Sequence, residues 1–355
     1  MNTWGNNIRL AIFGESHGPA VGIVIDGLPA GMSFDMENLS IFMARRRPGQ
    51  NLFSSSRRES DQAEIISGLL DGRTTGAPLC CLIKNHDAHS EDYGPCLRPG
   101  HADWPAWLKF GGLADLRGGG HFSGRLTAPL VFAGGIAKQV LAERGIHVFG
   151  RIAAIGGIED KPQLSAEEFT GLAGAAFPVF DRKAAKQMQE AILAVQAEGD
   201  SLGGIGEVLA LGVPAGLGEP FFGSAESLIS SLLFSIPAVK GVEFGAGFAL
   251  AAWHGSAAND PLFLENGEIR SKSNHNGGIL GGLTTGMPLL VRAAIKPTPS
   301  ISKEQHTVNP LAMKESTLNI VGRHDPCIVP RALPALEAAL ALCLLELCSN
   351  GYGQV

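Results

Sequence analysis

Imidazole side chains lie beside glycines and cations in four short segments of the sequence. The segments are 13–18 (FGESHG), 98–103 (RPGHAD), 117–125 (RGGGHFSGR) and 322–327 (GRHDPC). Imidazoles gain and lose protons near neutral pH, and guanidinium groups bind carboxylates and phosphates with parallel hydrogen bonds. Together the segments predict a site that holds an anionic molecule and moves protons within it, with little sign of a nucleophile.

The first of these segments also matches the G-x-S-x-G pattern of a serine hydrolase, with Ser16 as the nucleophile. That motif needs a strand, a strained turn and then a helix. Here Pro19 follows the motif directly, and residues 21–27 (VGIVIDG) have the composition of a second strand. The pattern therefore predicts a β-hairpin whose turn displays Glu15 and His17, and it disfavours Ser16 as a nucleophile.

Positive charge is concentrated at 45–47 (RRR) and 57–58 (RR). Cations at the end of a helix complement its dipole, so the first run could be a solvated cap. The chain as a whole has a formal net charge of −6, and local positive charge on such a chain also suits a small polyanionic ligand. Both interpretations stay open from local sequence. The segment 296–300 (KPTPS) adds a cation and two hydroxyl groups on a stiff loop.

Several classes of protein lose support from the sequence. No G-x-G-x-x-G segment follows a predicted strand, and no G-x-x-x-x-G-K-[ST] segment occurs. His86 and His89 have no obvious third ligand, so we expect no metal. The negative net charge disfavours nucleic-acid and membrane-surface partners. Six cysteines without a C-x-x-C pair, and an N-terminus without a signal-peptide pattern, predict a cytoplasmic location.

Strands and helices alternate without the regular units of a doubly wound sheet, and the second half resembles the first in its order of elements. Predicted strands cover about 8–13, 21–27, 78–83, 148–155, 205–213, 241–250 and 288–295. Predicted helices cover about 36–46, 61–70, 126–141, 182–197, 225–234 and 333–347. The 45% apolar content is enough for a large core. We predict one α/β domain, residues 1–355, with antiparallel hairpins and buried helices.

Eight segments, in order along essentially the whole chain, resemble the signatures of the chorismate synthase family. They are 13–18 (FGESHG), 45–49 (RRRPG), 98–103 (RPGHAD), 117–120 (RGGG), 238–245 (AVKGVEFG), 277–282 (GGILGG), 296–301 (KPTPSI) and 322–327 (GRHDPC). One segment alone could arise by chance, but eight in the same order are specific. The resemblance implies a β-α-β sandwich fold.

The resemblance also implies a reaction and its cofactor. The family converts 5-enolpyruvylshikimate 3-phosphate to chorismate by a 1,4-anti elimination of phosphate, the last common step toward the aromatic amino acids. The reaction needs reduced FMN although it is redox-neutral overall. NADPH is one candidate reductant for the flavin, and an external flavin reductase is the alternative. The family further implies a homotetramer.

Matching motifs imply roles for individual residues. His17 is the expected acid for the leaving phosphate, His101 lies by the reduced flavin and manages its protonation, and Asp325 assists proton removal from the substrate ring through the central flavin nitrogen. Arg46 is expected to hold the substrate or an anionic group of a nicotinamide nucleotide, and Arg125 to face the substrate. Flavin contacts are implied for His121, Phe122, Ser123, Pro237, Ala238, Gly281, Lys296, Pro297, Thr298, Pro299, Ser300 and Arg323.

Two departures from the family's usual sequence bear on these expectations. Residues 121–124 are HFSG, where the family often has Arg-Ser-Ser-Ala, so the flavin contacts there are expected to change or to involve the backbone. Leu52 stands where the family often has an arginine, which disfavours nicotinamide binding unless Arg57 or Arg58 compensates. Two alternatives to a lyase stay open: an oxidoreductase that mainly reduces FMN with a nicotinamide nucleotide, against which Leu52 argues, and a non-catalytic flavin-binding homologue.

Overall fold

Two five-stranded antiparallel sheets enclose a layer of helices. The computed structural model of the chain describes residues 2–49, 54–55, 57–87, 89, 93–161, 165–320 and 324–349. Within these residues the helices are α1 (Met36–Ala44), α2 (Asp103–Lys109), α3 (Thr127–Glu143), α4 (Ala166–Thr170), α5 (Arg182–Ala197), α6 (Ala225–Ser235), α7 (Gly255–Ala258) and α8 (Val329–Ser349).

The strands form the two main sheets and several short hairpins. They are β1 (Thr3–Trp4), β2 (Arg9–Gly14), β3 (Ala20–Asp26), β4 (Ala63–Ser67), β5 (Leu69–Leu70), β6 (Arg73–Thr74), β7 (Leu79–Lys84), β8 (His147–Ile155), β9 (Ile158–Glu159), β10 (Gly204–Leu211), β11 (Val239–Phe244), β12 (Leu262–Glu265), β13 (Glu268–Ser271), β14 (Ile279–Leu280), β15 (Leu283–Thr284), β16 (Leu289–Ile295), β17 (Gln305–Asn309) and β18 (Lys314–Leu318). The main sheets have the orders β1-β2-β3-β7-β4 and β11-β16-β10-β8-β9.

The two sheets are built from the same succession of elements. The first half runs β2, β3, α1, β4, hairpin β5–β6, β7 and α3, and the second runs β8, β10, α6, β11, hairpin β14–β15, β16 and α8. Thr74 and Thr284 take the same role in the two hairpins, because each hydroxyl donates a 2.6 Å hydrogen bond to a proline carbonyl, that of Pro29 or Pro214. The similar order of elements in the sequence thus reflects two copies of one β/α unit.

Helices α3 and α8 pack directly against each other between the sheets. Gly134 lies so close to Ala338 that a Cβ atom at position 134 would overlap it. Helix α8 is long and apolar enough to cross a membrane, but 89% of its most apolar window is buried inside the protein. A helix that is apolar on all sides belongs in such a core. The hydrophobic core continues across both helices, from which we infer a single domain.

Two carboxylates of α8 bind segments that are distant in the chain and hold them against this helical layer. Glu337 binds Arg45, at the end of α1, and Lys138 of α3. Burial favours a raised pKa for Glu337, but the charges of Lys138 and Arg45 outweigh it and hold the pKa below its usual value. Glu346 accepts hydrogen bonds from the backbone N–H groups of residues 6–8. Glu346 therefore fixes the start of the first sheet against the last helix.

Most predicted elements are present, but one is of the wrong type. The segment 61–70, predicted as a helix, forms β4 and then enters the hairpin β5–β6, because Ile65 and its neighbours pair with β7. The strand predicted over 241–250 ends at Phe244, and a 3-10 helix, Gly247–Ala252, follows it. The hairpins β12–β13 and β17–β18 were not predicted.

Substituting Gly134 by alanine tests the contact between α3 and α8. Alanine normally favours a helix over glycine by about 1 kcal/mol, but here the added methyl group has to push α8 away. We expect Gly134→Ala to lower the free energy of unfolding by about 1–3 kcal/mol, as overpacking does, in a urea titration. Gly255→Ala is the control, because Gly255 has open space around its Cβ position. Equal stabilities of the two variants would contradict the tight crossing.

Candidate active site

Connections at one end of the two sheets surround a large cavity. Its lining comes from the β2–β3 turn, from the connections α1–β4 and β7–α3 of the first half, and from the equivalent connections α6–β11 and β16–α8 of the second. Helices α3 and α8 begin at this cavity, so the positive ends of two helix dipoles face it. The volume of about 490 Å³ falls within the range of small-molecule sites.

Positive charge exceeds negative charge in the described part of the lining. The permanently charged cations are Arg46, Arg57, Arg98, Arg125, Lys296 and Arg331. The carboxylates are Glu59, Asp87 and Asp325, and the imidazoles are His17, His89, His101, His121 and His324. Because the whole chain has a net charge of −6, folding has concentrated cations here, as expected for a site that binds a polyanion.

His17 lies on the turn between β2 and β3, as its position between two predicted strands indicated. The neighbouring Ser16 is fully buried, and its backbone N–H donates to the carbonyl of Gly120 at 3.0 Å. Ser16 therefore shapes the turn. The His17 ring packs edge-on against Tyr93, with the ring centroids 5.1 Å apart. Burial, followed by the positive charge of Arg57, lowers the pKa of His17, so the ring loses its proton more readily than an ordinary histidine.

His101 precedes α2 and contacts a buried carboxylate. Its Nδ1 lies 2.6 Å from Oδ1 of Asp103, and Asp103 also accepts two side-chain hydrogen bonds of 2.8 Å from Arg98. Burial disfavours the charged form of Asp103, but the hydrogen bonds from His101 and Arg98 outweigh it and lower the pKa of this carboxyl group. His101 is thus held on its Nδ1 side by an ionised acceptor.

The rings of His17 and His101 both pack against one loop of three consecutive glycines. Gly118, Gly119 and Gly120 have φ angles of 59°, 90° and 52°, which other residues rarely adopt. A Cβ atom on Gly118 would overlap the His17 ring, and one on Gly119 would lie 3.0 Å from Nε2 of His101. The two imidazoles therefore rest against adjacent residues. This arrangement allows both to act on one ligand.

Loops from both halves meet beside these rings. The backbone N–H of Lys296 donates to the carbonyl of Ala238 at 2.9 Å, and its ammonium group binds the carbonyl of Gly100. The hydroxyl of Thr298 is buried and has no hydrogen-bond partner among the described residues. His121 donates from Nδ1 to a carbonyl of β2 at 2.8 Å, so Nε2 is the ring nitrogen left for a ligand. These groups are suited to a ligand with several polar atoms.

Asp61 holds the guanidinium groups of Arg46 and Arg125. Its Oδ2 lies 2.7 Å from Nη2 of Arg46, and its Oδ1 accepts from Arg125. Burial favours a raised pKa for Asp61, but the charges of Arg46 and Arg125 outweigh it and lower the pKa to about 2. Arg46 also donates to Gly124 and Thr127 at 3.3 Å. Both arginines are therefore fixed in the cavity wall, with few donors left for a ligand.

Asp325 lies just before α8 and joins it to the first half. Its Oδ1 accepts the backbone N–H of Ser55 at 2.8 Å, and its Oδ2 accepts from Arg331. Arg331 also donates from Nε to the carbonyl of Arg46 at 2.9 Å. The Asp325 carboxylate is thus oriented by groups from both halves.

Most residues predicted for the site line this cavity. They are His17, Arg46, His101, His121, Phe122, Ser123, Arg125, Pro237, Ala238, Lys296, Thr298, Pro299, Ser300 and Asp325. Pro297 and Gly281 are exposed and lie outside the lining. Arg323 and Leu52 lie outside the described residues.

Sequence reasoning missed the carboxylates that hold these cations. Glu59 and Asp61 follow an arginine pair in the chain, and that alternation of charge was the signal available for them. Asp103 lies in the quoted segment RPGHAD but was given no role. Tyr93 and Arg331 belong to none of the motifs, and only the fold places them in the cavity.

Comparison with known proteins gives one consistent result. The family model described as chorismate synthase matches residues 8–348. A chorismate synthase of Dehalococcoides mccartyi is 45% identical over 98% of this chain and 96% of the relative. One of Thermococcus gammatolerans is 48% identical over 96% of each. A solved structure, titled as a crystal structure of chorismate synthase, has a TM-score of 0.78 and 28% identity over 99% of this chain and 94% of that one.

These similarities extend over nearly the whole chain in both sequence and fold. They confirm the predicted resemblance and the predicted β-α-β sandwich. The alternatives of an oxidoreductase and a non-catalytic homologue gain no support from them. The chain belongs to the chorismate synthase family, the lyases of the shikimate pathway that convert 5-enolpyruvylshikimate 3-phosphate to chorismate and phosphate.

Proposed function

We propose that the cavity holds reduced FMN beside 5-enolpyruvylshikimate 3-phosphate and that His17 protonates the leaving phosphate. The observation that carries this proposal is the pair of rings, His17 and His101, on adjacent glycines inside one cation-rich cavity. The substrate has two carboxylates and a phosphate, and FMN has another phosphate. Burying that much negative charge requires fixed positive charge, and the cations of the lining supply it.

The residues predicted to contact the flavin fit such a group. The buried hydroxyl of Thr298, without a partner among the described residues, suits a phosphate or a ribityl hydroxyl. Phe122 and Pro237 offer apolar surface to a ring system, and His121 offers its Nε2 nitrogen. When bound, reduced FMN supplies electron density that eases loss of the phosphate and recovers it afterwards. Gly281 lies outside this cavity lining, so the flavin contact implied for it stays a prediction.

Arg46 and Arg125 are assigned to the substrate anions. Their guanidinium groups are already desolvated and held by Asp61, so little side-chain entropy is lost when a ligand binds. The first turn of α3 lies beside them and adds the positive end of a helix dipole. The arginines therefore contribute a preformed electrostatic surface, and their remaining donors supply direct hydrogen bonds.

Proton movements are assigned to three side chains. Burial and Arg57 favour the neutral form of His17 in the free chain, whereas a nearby phosphate dianion favours the protonated form. His17 thus gains its proton when the substrate arrives and donates it to the leaving oxygen. His101 presents Nε2 to the ligands. Asp325, oriented by Ser55 and Arg331, takes up the proton that leaves the substrate ring.

Other features support a homotetramer and a cytoplasmic location. Phe221, Phe222 and Phe248 are 87%, 97% and 81% exposed, and such apolar surface suits contacts between subunits of a homotetramer. All six cysteines are free thiols, which suits the cytoplasm. Whether NADPH or an external reductase reduces the flavin is decided by comparing turnover with NADPH alone and with dithionite-reduced FMN.

Replacing His17 tests the acid role. We expect His17→Ala to slow phosphate release by about two to four orders of magnitude, the scale of a general acid, under anaerobic conditions with dithionite-reduced FMN. Because His17 acts in its protonated form, kcat/KM of the wild type should fall as pH rises, and the lowered pKa shifts this fall to lower pH. The variant should lack that fall. Exposed His147 provides the control His147→Ala, and a rate unchanged in both variants would remove the acid role.

Adding a methyl group to the glycine loop tests the placement of His17. Gly118 and Gly111 have nearly equal φ angles, 59° and 58°, so alanine strains both backbones alike. Only at Gly118 does the new Cβ meet the His17 ring; at Gly111 there is open space. We expect similar losses of thermal stability but a kcat at least about tenfold lower for Gly118→Ala alone. Equal kcat values of the two variants would show that the glycine loop does not place His17 for the reaction.

Removing Arg46 tests the assignment of the substrate anions. We expect Arg46→Ala to raise the dissociation constant of the substrate by about 10- to 100-fold, the scale of charge-assisted hydrogen bonds, in calorimetric titration. Arg151→Ala is the matched control, since Arg151 is equally buried and pairs with Asp160 and Glu207 away from the cavity lining. Both variants should lose stability, so binding is measured at a temperature where both are folded. An unaltered dissociation constant for Arg46→Ala would refute the assignment.

A further inference from the structure

We infer that Asp103 is a positioning residue that fixes which nitrogen of His101 exchanges protons. Arg98 donates to the same carboxylate and so neutralises part of the negative charge that His101 meets. The inference deepens the proposed function, because it rests on the role proposed for His101. It concerns a side chain that lies behind the cavity wall and is not part of its lining.

The three side chains form one compact cluster. Nδ1 of His101 lies 2.6 Å from Oδ1 of Asp103. Arg98 donates from Nε to Oδ2 and from Nη2 to Oδ1, each at 2.8 Å, and its backbone N–H donates to Oδ2 at 2.9 Å. Asp103 is 2% exposed and Arg98 is 6% exposed. Water therefore screens this cluster weakly, and its geometry is well defined.

The cluster determines which nitrogen of the His101 ring carries a hydrogen. The hydrogen bonds that Asp103 accepts outweigh its burial and lower its pKa, so this carboxylate is an acceptor throughout the neutral range. Nδ1 of His101 must then carry a hydrogen. Nε2, on the side of Gly119 and the cavity, is left as the atom that gains and loses a proton. A carboxylate that orients a histidine in this way is a recurrent device in working sites.

Arg98 shares the Asp103 carboxylate with the His101 ring. Its Nη2 shares Oδ1 with His101 and lies 3.3 Å from Nδ1. Part of the negative charge is therefore neutralised, and a positive charge stands beside the ring. Other ionisable groups near His101, among the described residues, include Lys296, whose ammonium binds the carbonyl of Gly100, and His17 across the glycine loop. His101 is thus fixed in orientation.

A purely structural role predicts a different behaviour. Arg98 and Asp103 would form their three hydrogen bonds without His101, and Arg98 is further anchored by the carbonyl of Leu116 at 3.0 Å. On that view the pair only holds the segment that enters α2. Loss of Asp103 would then lower the stability of the protein, but it would not change the protonation of His101. Any effect on kcat would be independent of His101.

The first experiment measures protonation in the flavin-free protein. Diethyl pyrocarbonate reacts with the unprotonated imidazole nitrogen, and peptide mass spectrometry gives the rate for His101 at each pH. Asp103→Asn keeps an acceptor oxygen but removes the charge that favours imidazolium, so we expect the midpoint of the rate profile to move to lower pH. Asp160→Asn is the control, because Asp160 is also a buried partner of an arginine, away from the cavity lining. It should leave the midpoint unchanged.

The second experiment is a double-mutant cycle on phosphate release with reduced FMN. We expect Asp103→Asn to lower kcat on the order of 10- to 100-fold, by analogy with carboxylates that orient metal-bound histidines, with little change in the substrate KM. In the His101→Ala background the same substitution should cost nothing further, because Asp103 acts through that ring. Asp103→Glu, which restores the charge, should return the midpoint of the modification profile toward the wild type.

The outcomes separate this inference from the proposed function. Either of two results would overturn the role of Asp103. One is a midpoint of the His101 modification profile that does not shift in Asp103→Asn, and the other is a further loss of kcat when Asp103→Asn is added to His101→Ala. If His101→Ala alone leaves turnover unchanged, the role proposed for His101 fails, and the inference fails with it. If His101→Ala is slow while folded Asp103→Asn has wild-type turnover and midpoint, the proposed function stands and the inference about Asp103 does not.

Discussion

The direct contact between α3 and α8 is the constraint on which the site depends. Each helix is the last element of its half, and Gly134 allows the two backbones to approach closely. That approach brings the equivalent connections of the two halves to the same end of the molecule. His17 and His101 come from the first half, and Thr298 and Asp325 from the second. Neither half alone encloses the cavity.

The cations of this cavity are held in place by carboxylates in its wall and behind it. Asp61, Asp103 and Asp325 each bind at least one arginine of the lining. Buried ion pairs contribute modestly to stability, because desolvation offsets most of their attraction. Their effect here is on geometry: the guanidinium groups are fixed and desolvated before any ligand arrives. An arginine so held is part of a preorganised electrostatic surface, the kind of feature that lowers barriers in dry sites.

Short motifs contain many of the residues that line the cavity, because each motif is a compact local structure. The turn that carries His17 needs only two strands and a tight reversal, and both are visible in the sequence. The glycine run 118–120 is equally local, since its positive φ angles require glycine wherever it lies. The helix predicted over 61–70 failed because its apolar residues fit either period, and pairing with β7 decided between them. Tyr93 and Arg331 carried no local signal at all.

The sequence by itself determined the residue types of the site, the long apolar helices and the family to which the chain is similar, because these depend on local pattern and on the order of motifs. Only the tertiary structure decided which side chains share a cavity, which carboxylate holds which arginine, and which nitrogen of His101 contacts Asp103. It also decided that Gly281 and Pro297 lie outside the cavity lining. The reason is physical: such contacts join residues far apart in the chain, and their geometry is set by how α3, α8 and the two sheets pack.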